Sequence, residues 1–372
     1  MDDLELAGNL VAASLDISGN IDIDGISNLD VIDVDGAANF AADVTFADGA
    51  DIITASAGTS NTRVGVNTGN SIASGGNYNV LVGDEAGTAL TTGDGNVAVG
   101  FEALKTEDAN GESTAIGYQA LKTQNAGASG LNTAVGYQAG TAVTTGIRNT
   151  LIGAAAGDAL TDADRNTAVG HIALSTDTLG SRSTAIGHGA LTTQNFTTAT
   201  DVYNTAVGHS AGLAITTGVN NVLMGGLTGD ALTDADENVA IGHAALSSDT
   251  LGSRSVAIGR EALTTQNFTT ATATYNVAVG ANAGQAVTVG VQNTLIGGLA
   301  GDALTEGARN VAVGKSALSA DTNGARATAI GFGALGVQNF TTATENYNVG
   351  VGYDAGAAIT TGLSNTIIGG SA

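Results

Sequence analysis

A short run of apolar and small residues, opened by an amide and closed by a glycine, recurs along most of the chain. It reads Asn-(Thr/Val)-(Ala/Leu)-(Val/Ile)-Gly, as at 132–136, 149–153 and 166–170. Alternation of outward and inward residues over three positions predicts one short strand per phrase. The closing glycines, Gly136, Gly153, Gly170 and Gly187 among them, lie 17 residues apart in most units and 19 or 21 apart in four. Asn opens the phrase at Asn132, Asn149, Asn166 and ten further units, while Ser113, Ser183, Ser255 and Ala327 take its place elsewhere. One strand per fixed period predicts stacked coils rather than a globular core. The fold expected for 61–372 is therefore all-β: a parallel β-roll or β-solenoid of about eighteen coils, with stacked Asn side chains forming a ladder.

A second rhythm overlies the first. Gly136, Gly208, Gly280 and Gly352 are 72 residues apart, so four coils make a super-repeat. Once per super-repeat the residue two before the glycine is large (Leu151, Leu223, Leu295), and the residue just after it is small (Ala154, Gly226, Gly298). Elsewhere that following residue is often Phe, Tyr or His. The exchange of large for small predicts that these two positions share one packed volume. The long unit carries an insert, Asn195-Phe196-Thr197-Thr198-Ala199-Thr200-Asp201-Val202-Tyr203, with near copies at 267–275 and 339–347. Inserts in a solenoid fall on one face. Phe196, Tyr203, Phe268, Tyr275, Phe340 and Tyr347 are thus candidates either for receptor contact, where aromatics beside polar groups suit sugars or proteins, or for packing between chains.

Residues 1–60 follow another pattern. Segments such as Ile21-Asp22-Ile23-Asp24-Gly25 and Leu29-Asp30-Val31 alternate apolar with acidic residues. They predict strands with one buried face, which several copies around an axis would cover, so 1–60 is expected to be a β-rich trimeric base or neck.

Composition narrows the function. Eleven basic residues stand against 35 acidic ones, a formal net charge of −24, so a nucleic-acid groove is excluded. Pro and Cys are absent. The acidic start lacks the basic segment of a secretory signal, and no apolar run reaches the roughly 18 residues of a membrane span, so neither export nor membrane insertion is expected. No nucleophile–base–acid set stands out, so the chain reads as no enzyme, with no cofactor and no metal. His171, His188, His209 and His243 each follow a repeat glycine and predict an aromatic-type ladder rather than a metal site. Asp162-Ala163-Asp164-Arg165-Asn166 and Asp234-Ala235-Asp236-Glu237-Asn238 imitate the opening of a calcium loop but lack its central Gly and closing Glu, which favours solvated turn carboxylates. Thr pairs such as Thr144-Thr145 and Thr216-Thr217 occur once per four coils, too sparsely for an ice-matching lattice.

The phrase Asn-Thr-Ala-Val-Gly-x-x-Ala, at 132–139, 166–173 and 204–211, resembles the head repeat of trimeric autotransporter adhesins of the YadA type. The resemblance implies a left-handed parallel β-roll and three chains side by side. The unit here is longer than is usual in that family. Its export signal, coiled-coil stalk and membrane barrel are not seen. Residues 1–60 resemble segments of bacteriophage tail-fibre proteins. Together the two imply a homotrimeric virion fibre, assembled in the host cytoplasm, joined to other virion proteins and contacting a host surface glycan or protein. The alternatives are a bacterial cell-surface adhesin and a secreted calcium-binding or ice-binding solenoid. Because Ala372 falls within a coil, the last coil is expected to be a bare tip, a docking point or a truncation.

Overall fold

The computed structural model describes residues 56–372; the neck expected at 1–60 lies outside the described residues except for 56–60. From Thr62–Val64 to Thr366–Ile368, each repeat phrase forms one three-residue strand, and 18 such strands make a single sheet. Every strand pairs in parallel with that of the next coil, residue for residue, as in Thr133↔Thr150, Ala134↔Leu151 and Val135↔Ile152. At about 4.8 Å per coil the stack is roughly 80 Å long. The expected solenoid is therefore present, although most of each coil is turn rather than strand. Inter-coil backbone bonds continue through those turns, for example Gln138 N to Tyr118 O at 2.8 Å and Gly140 N to Ala156 O at 3.0 Å.

The repeat glycine is required by the approach of the next coil. Gly136 has φ +144°, and a Cβ on it would sit 2.4 Å from the carbonyl oxygen of Gly153. The same contact recurs up the stack, so the glycines set how closely the coils nest.

The middle residue of each strand points inward. Leu81, Ala134, Leu151, Ala168 and Leu223 are fully buried, whereas the flanking residues face outward. A second interior row lies four residues after the glycine, always in the left-handed conformation. It is occupied either by Gly (Gly140, Gly157) or by fully buried Leu (Leu104, Leu121, Leu174, Leu191; φ 47° to 53°). These two rows are the ones that exchange volume. A Cβ on Gly157 would lie 2.7 Å from Cδ2 of Leu151 and 2.8 Å from Cδ1 of Leu160, and Leu appears in the second row only where the strand supplies Ala. The sequence-based pairing of Leu151 with Ala154 is thus corrected: those positions lie on opposite sides of the backbone, one in the core and one outside.

The remaining interior is polar. Each Asn side chain accepts the backbone N–H of its counterpart one coil on and donates to a carbonyl of its own coil, as Asn132 Oδ1 from Asn149 N (2.7 Å) and Asn149 Nδ2 to Ala163 O (2.7 Å). The ladder exists, but it runs mainly from side chain to backbone rather than amide to amide. Where Ser or, at 327, Ala replaces Asn, a buried acid–amide pair fills the row. Asp177 accepts from Gly180 N (3.0 Å), Phe196 N (3.0 Å) and Gln194 Nε2, and Gln194 in turn reaches Ser183 and Asn204. Asp249/Gln266 and Asp321/Gln338 repeat this. The first copy is Glu107/Gln124, whose loop lacks the Phe, and there Oε1 of Glu107 has no hydrogen-bond partner.

Candidate assembly interface

The outer side of the strands builds one continuous stripe. It consists of the first and third strand residues and the residue after the glycine, carried up the stack by the parallel register. The third strand residue is Val, Ile or Met in every coil from Val82 to Ile368. Many of these remain substantially exposed, Ile152 at 39% and Met224 at 43%. The residue after the glycine adds exposed rings. Phe101, Tyr118 and Tyr137 stack at 5.3 Å between centroids, as do Phe332 and Tyr353. His171, His188 and His209 continue the same ladder at 5.3 and 5.2 Å, so imidazole stands where other coils place Phe or Tyr. In a chain with 35 acidic residues, the only Asp, Glu, Lys or Arg on this stripe from Val80 upward are Asp84, Arg260 and Lys315. A long exposed apolar stripe makes this face the candidate interface.

The six insert aromatics separate into two kinds. Phe196, Phe268 and Phe340 are buried in their own chain, each 7% exposed, with the backbone N–H bonded to the buried Asp of the preceding coil. Within the single chain their rings lie in the wall of the coil, because the buried acid six residues before the Ser or Ala that takes the Asn place binds the backbone of the loop. Tyr203, Tyr275 and Tyr347 are half exposed, in left-handed backbone. Each lies under an Arg guanidinium of the preceding coil, at 5.6 to 5.7 Å: Arg182, Arg254 and Arg326. Arg182 also pairs with Asp201 (2.7 Å) and Arg326 with Glu345 (2.8 Å), while Arg254 turns to Glu237 (2.9 Å) and to the Tyr275 hydroxyl (2.9 Å). The cluster fastens the insert to the coil beneath it and leaves the Tyr edges in solvent.

The other candidates are held by neighbouring coils. Asp162 accepts from the Thr145 hydroxyl (2.6 Å) and Asp164 from Ile147 N (2.8 Å); Asp234 and Asp236 do the same with Thr217 and Val219. Thr144 and Thr216 turn their hydroxyls to carbonyls of the next coil. Among the described residues no group of three or more His, Cys, Asp or Glu converges on a metal position, and no pocket opens.

Sequence reasoning passed over a further set. Asp158, Asp230 and Asp302 occupy one Gly-Asp-Ala-Leu turn per super-repeat, and Oδ1 of each is buried without a hydrogen-bond partner. Partial burial raises all three carboxyls above their ordinary range. Glu102 shows the reverse effect, held down to about 2 by its bonds to Lys105 and Lys122 on neighbouring turns. The signal for the three Asp residues was the exact recurrence of Gly-Asp-Ala-Leu at 157–160, 229–232 and 301–304.

Comparison with protein-family models, with curated proteins and with solved structures finds no match for this chain. The function is therefore argued from the surface itself.

Proposed function

We propose that the chain is the subunit of a trimeric fibre whose shaft is this solenoid, and that it acts as a structural rod of a virion, holding attachment surfaces away from the particle. The observation that carries the rod-forming part is the nearly uncharged stripe on a strongly acidic chain. Its length of about 80 Å and a width of three to four residues, roughly 10–13 Å, amount to about 900 Å², close to the ~800 Å² that each partner contributes to a stable protein interface. The parallel register brings like residues to like heights when copies lie side by side, so one stripe serves along its whole length. Acidic outer faces keep the assembled rod from further lateral growth.

The virion role is supported by the likeness of 1–60 to phage tail-fibre segments and of the repeat to trimeric adhesin heads, not by site geometry. Exposed Tyr203, Tyr275 and Tyr347 offer repeated weak contacts along a stiff rod, which multivalency strengthens.

The test is absolute mass by light scattering at neutral pH with a chelator present. A mass near three times 36.2 kDa supports the assembly. A monomer overturns it and directs attention to a solitary solenoid, for which thermal hysteresis in ice growth is the measurement to make. The rank Thr133, Thr150, Thr167, Thr184 and Thr205, on consecutive strands of the same stripe, is the feature that favours that second reading. The virion role fails separately if antibodies to the trimer label no particle from the source culture.

A further inference from the structure

The stripe contains one kind of chemistry that its apolar character does not explain. All four histidines of the chain stand on it: His171, His188 and His209 on consecutive coils, and His243 two coils further on, beyond Gly226. All four are exposed in the single chain. Ala154 and Gly226 bracket the stacked trio on the ladder, and the strand residues beside it are Val169, Ile186 and Val207. The residues that follow the rings are Ile172, Gly189 and Ser210. None of these supplies a carboxylate. Arg260 follows His243 on the next coil, adding a second cation, and Glu261, the acid next to it in sequence, is engaged by Arg260 (3.1 Å), Asn282 (3.2 Å) and Gln285 (3.0 Å). Asp84, the only acid on the stripe from Val80 upward, lies near the other end of the stack.

We infer that the seam between copies is acid-labile and that these imidazoles are its trigger. The inference rests on the assembly proposed above. Imidazole is the side chain whose ordinary titration falls between about pH 5 and 8. Neutral, the rings pack as Tyr and Phe do elsewhere on the ladder. Protons on the stacked trio set positive charges about 5 Å apart along the ladder, and one on His243 adds a fourth two coils on, inside a surface from which water is excluded on assembly. Four such charges per chain have no counter-charge on the stripe beyond Asp84, which lies near the other end of the stack. Acidification over this range also reduces the large negative charge of the chain, and that change by itself favours association. Release on acidification therefore runs against the general electrostatic trend and isolates the histidines as its cause.

The experiment uses the full chain in chelator, with mass by light scattering and far-ultraviolet circular dichroism at pH 8 and pH 5. The expected result is a threefold fall in mass between the two, with the β-spectrum retained. A variant carrying His171→Phe, His188→Tyr, His209→Tyr and His243→Phe takes the residues the ladder already uses and is expected to keep its mass at pH 5. A second variant with Gln at all four positions, neutral at both pH values, gives the same result without adding apolar surface. The inference is overturned if the unsubstituted chain keeps its mass at pH 5, if either folded variant dissociates as the unsubstituted chain does, or if the β-spectrum collapses at pH 5 in all three. A monomer already at pH 8 overturns the assembly itself, which distinguishes the two failures.

Discussion

Gln194 donates its side-chain amide to Asp177 on the preceding coil, and both side chains are wholly sealed from solvent. The pair stands where Ser183 has displaced the Asn of the ladder, and it ties the insert to the core through Phe196 N. An acid and an amide in the interior of a narrow solenoid persist because every polar side-chain atom of the pair has a hydrogen-bond partner.

Asp177→Ala leaves three buried N–H groups without an acceptor: those of Gly180 and Phe196, and one of the two on the Gln194 amide, whose other stays with Ser183. At about 1–3 kcal/mol for each unsatisfied group, the local cost is several kcal/mol. Hydrogen exchange is expected to show loss of protection in 194–204 while coils a super-repeat away keep theirs, since a solenoid transmits stability only between neighbours. Equal loss along the whole stack would contradict this account.

Gly157→Ala combines a left-handed backbone with a Cβ 2.7 Å from Leu151, whereas Gly95→Ala has the same backbone sign and nothing within 4 Å. The second substitution is expected to cost about 1–2 kcal/mol from conformation alone. The first should cost about 1–3 kcal/mol more from overpacking. Chemical unfolding of the two variants separates strain from collision, and equal costs would remove the interior exchange described above.

The strand phrase, the period and the parallel stack were legible because they repeat at a single spacing. The interior exchange was not. It joins Leu151 to Gly157, six residues apart, and only the fold of the coil shows that both face inward while Ala154 faces out. The insert was legible as a protrusion, but the burial of Phe196 in its own chain was not: the group that holds its backbone is Asp177, an acid whose residue type argues for the surface. Tyr203 and Phe196 look equivalent in sequence and differ because the loop between them re-enters the wall of the coil.

Asp158, Asp230 and Asp302 have carboxyls raised by burial, so the folded chain holds these protons more tightly than the unfolded one. Protonation therefore favours folding: the ionised form costs stability at neutral pH, and the cost fades as pH falls through the raised values. The triple replacement by Asn is expected to raise the melting temperature at pH 7 by a few degrees, about 2–4 °C for each kcal/mol gained. The advantage over the unsubstituted chain should shrink towards pH 3. Thermal unfolding at both pH values checks it, and an unchanged or lower melting temperature at pH 7 counts against it.

Ile152→Lys with Ile186→Lys alters side chains that are already 39% and 38% exposed, so the single chain should lose less than about 1 kcal/mol. On the stripe, however, two unpaired charges face the neighbouring copy. Light scattering is expected to show a monomer with an undisturbed β-spectrum; a trimer of normal mass would move the interface to another face.

The buried pairs also govern how such a rod can change in length. Asp177 on one coil needs Gln194 on the next, and the flanking coils must present the complementary Leu and Gly rows. Removing a single coil breaks these agreements, whereas removing four restores all of them. Length is therefore quantised in steps of four coils, each of 72 residues from Gly136 to Gly352 and about 19 Å long, so recombination between repeats would shorten or extend the shaft by whole graduations that keep the same kinds of partner at the junction.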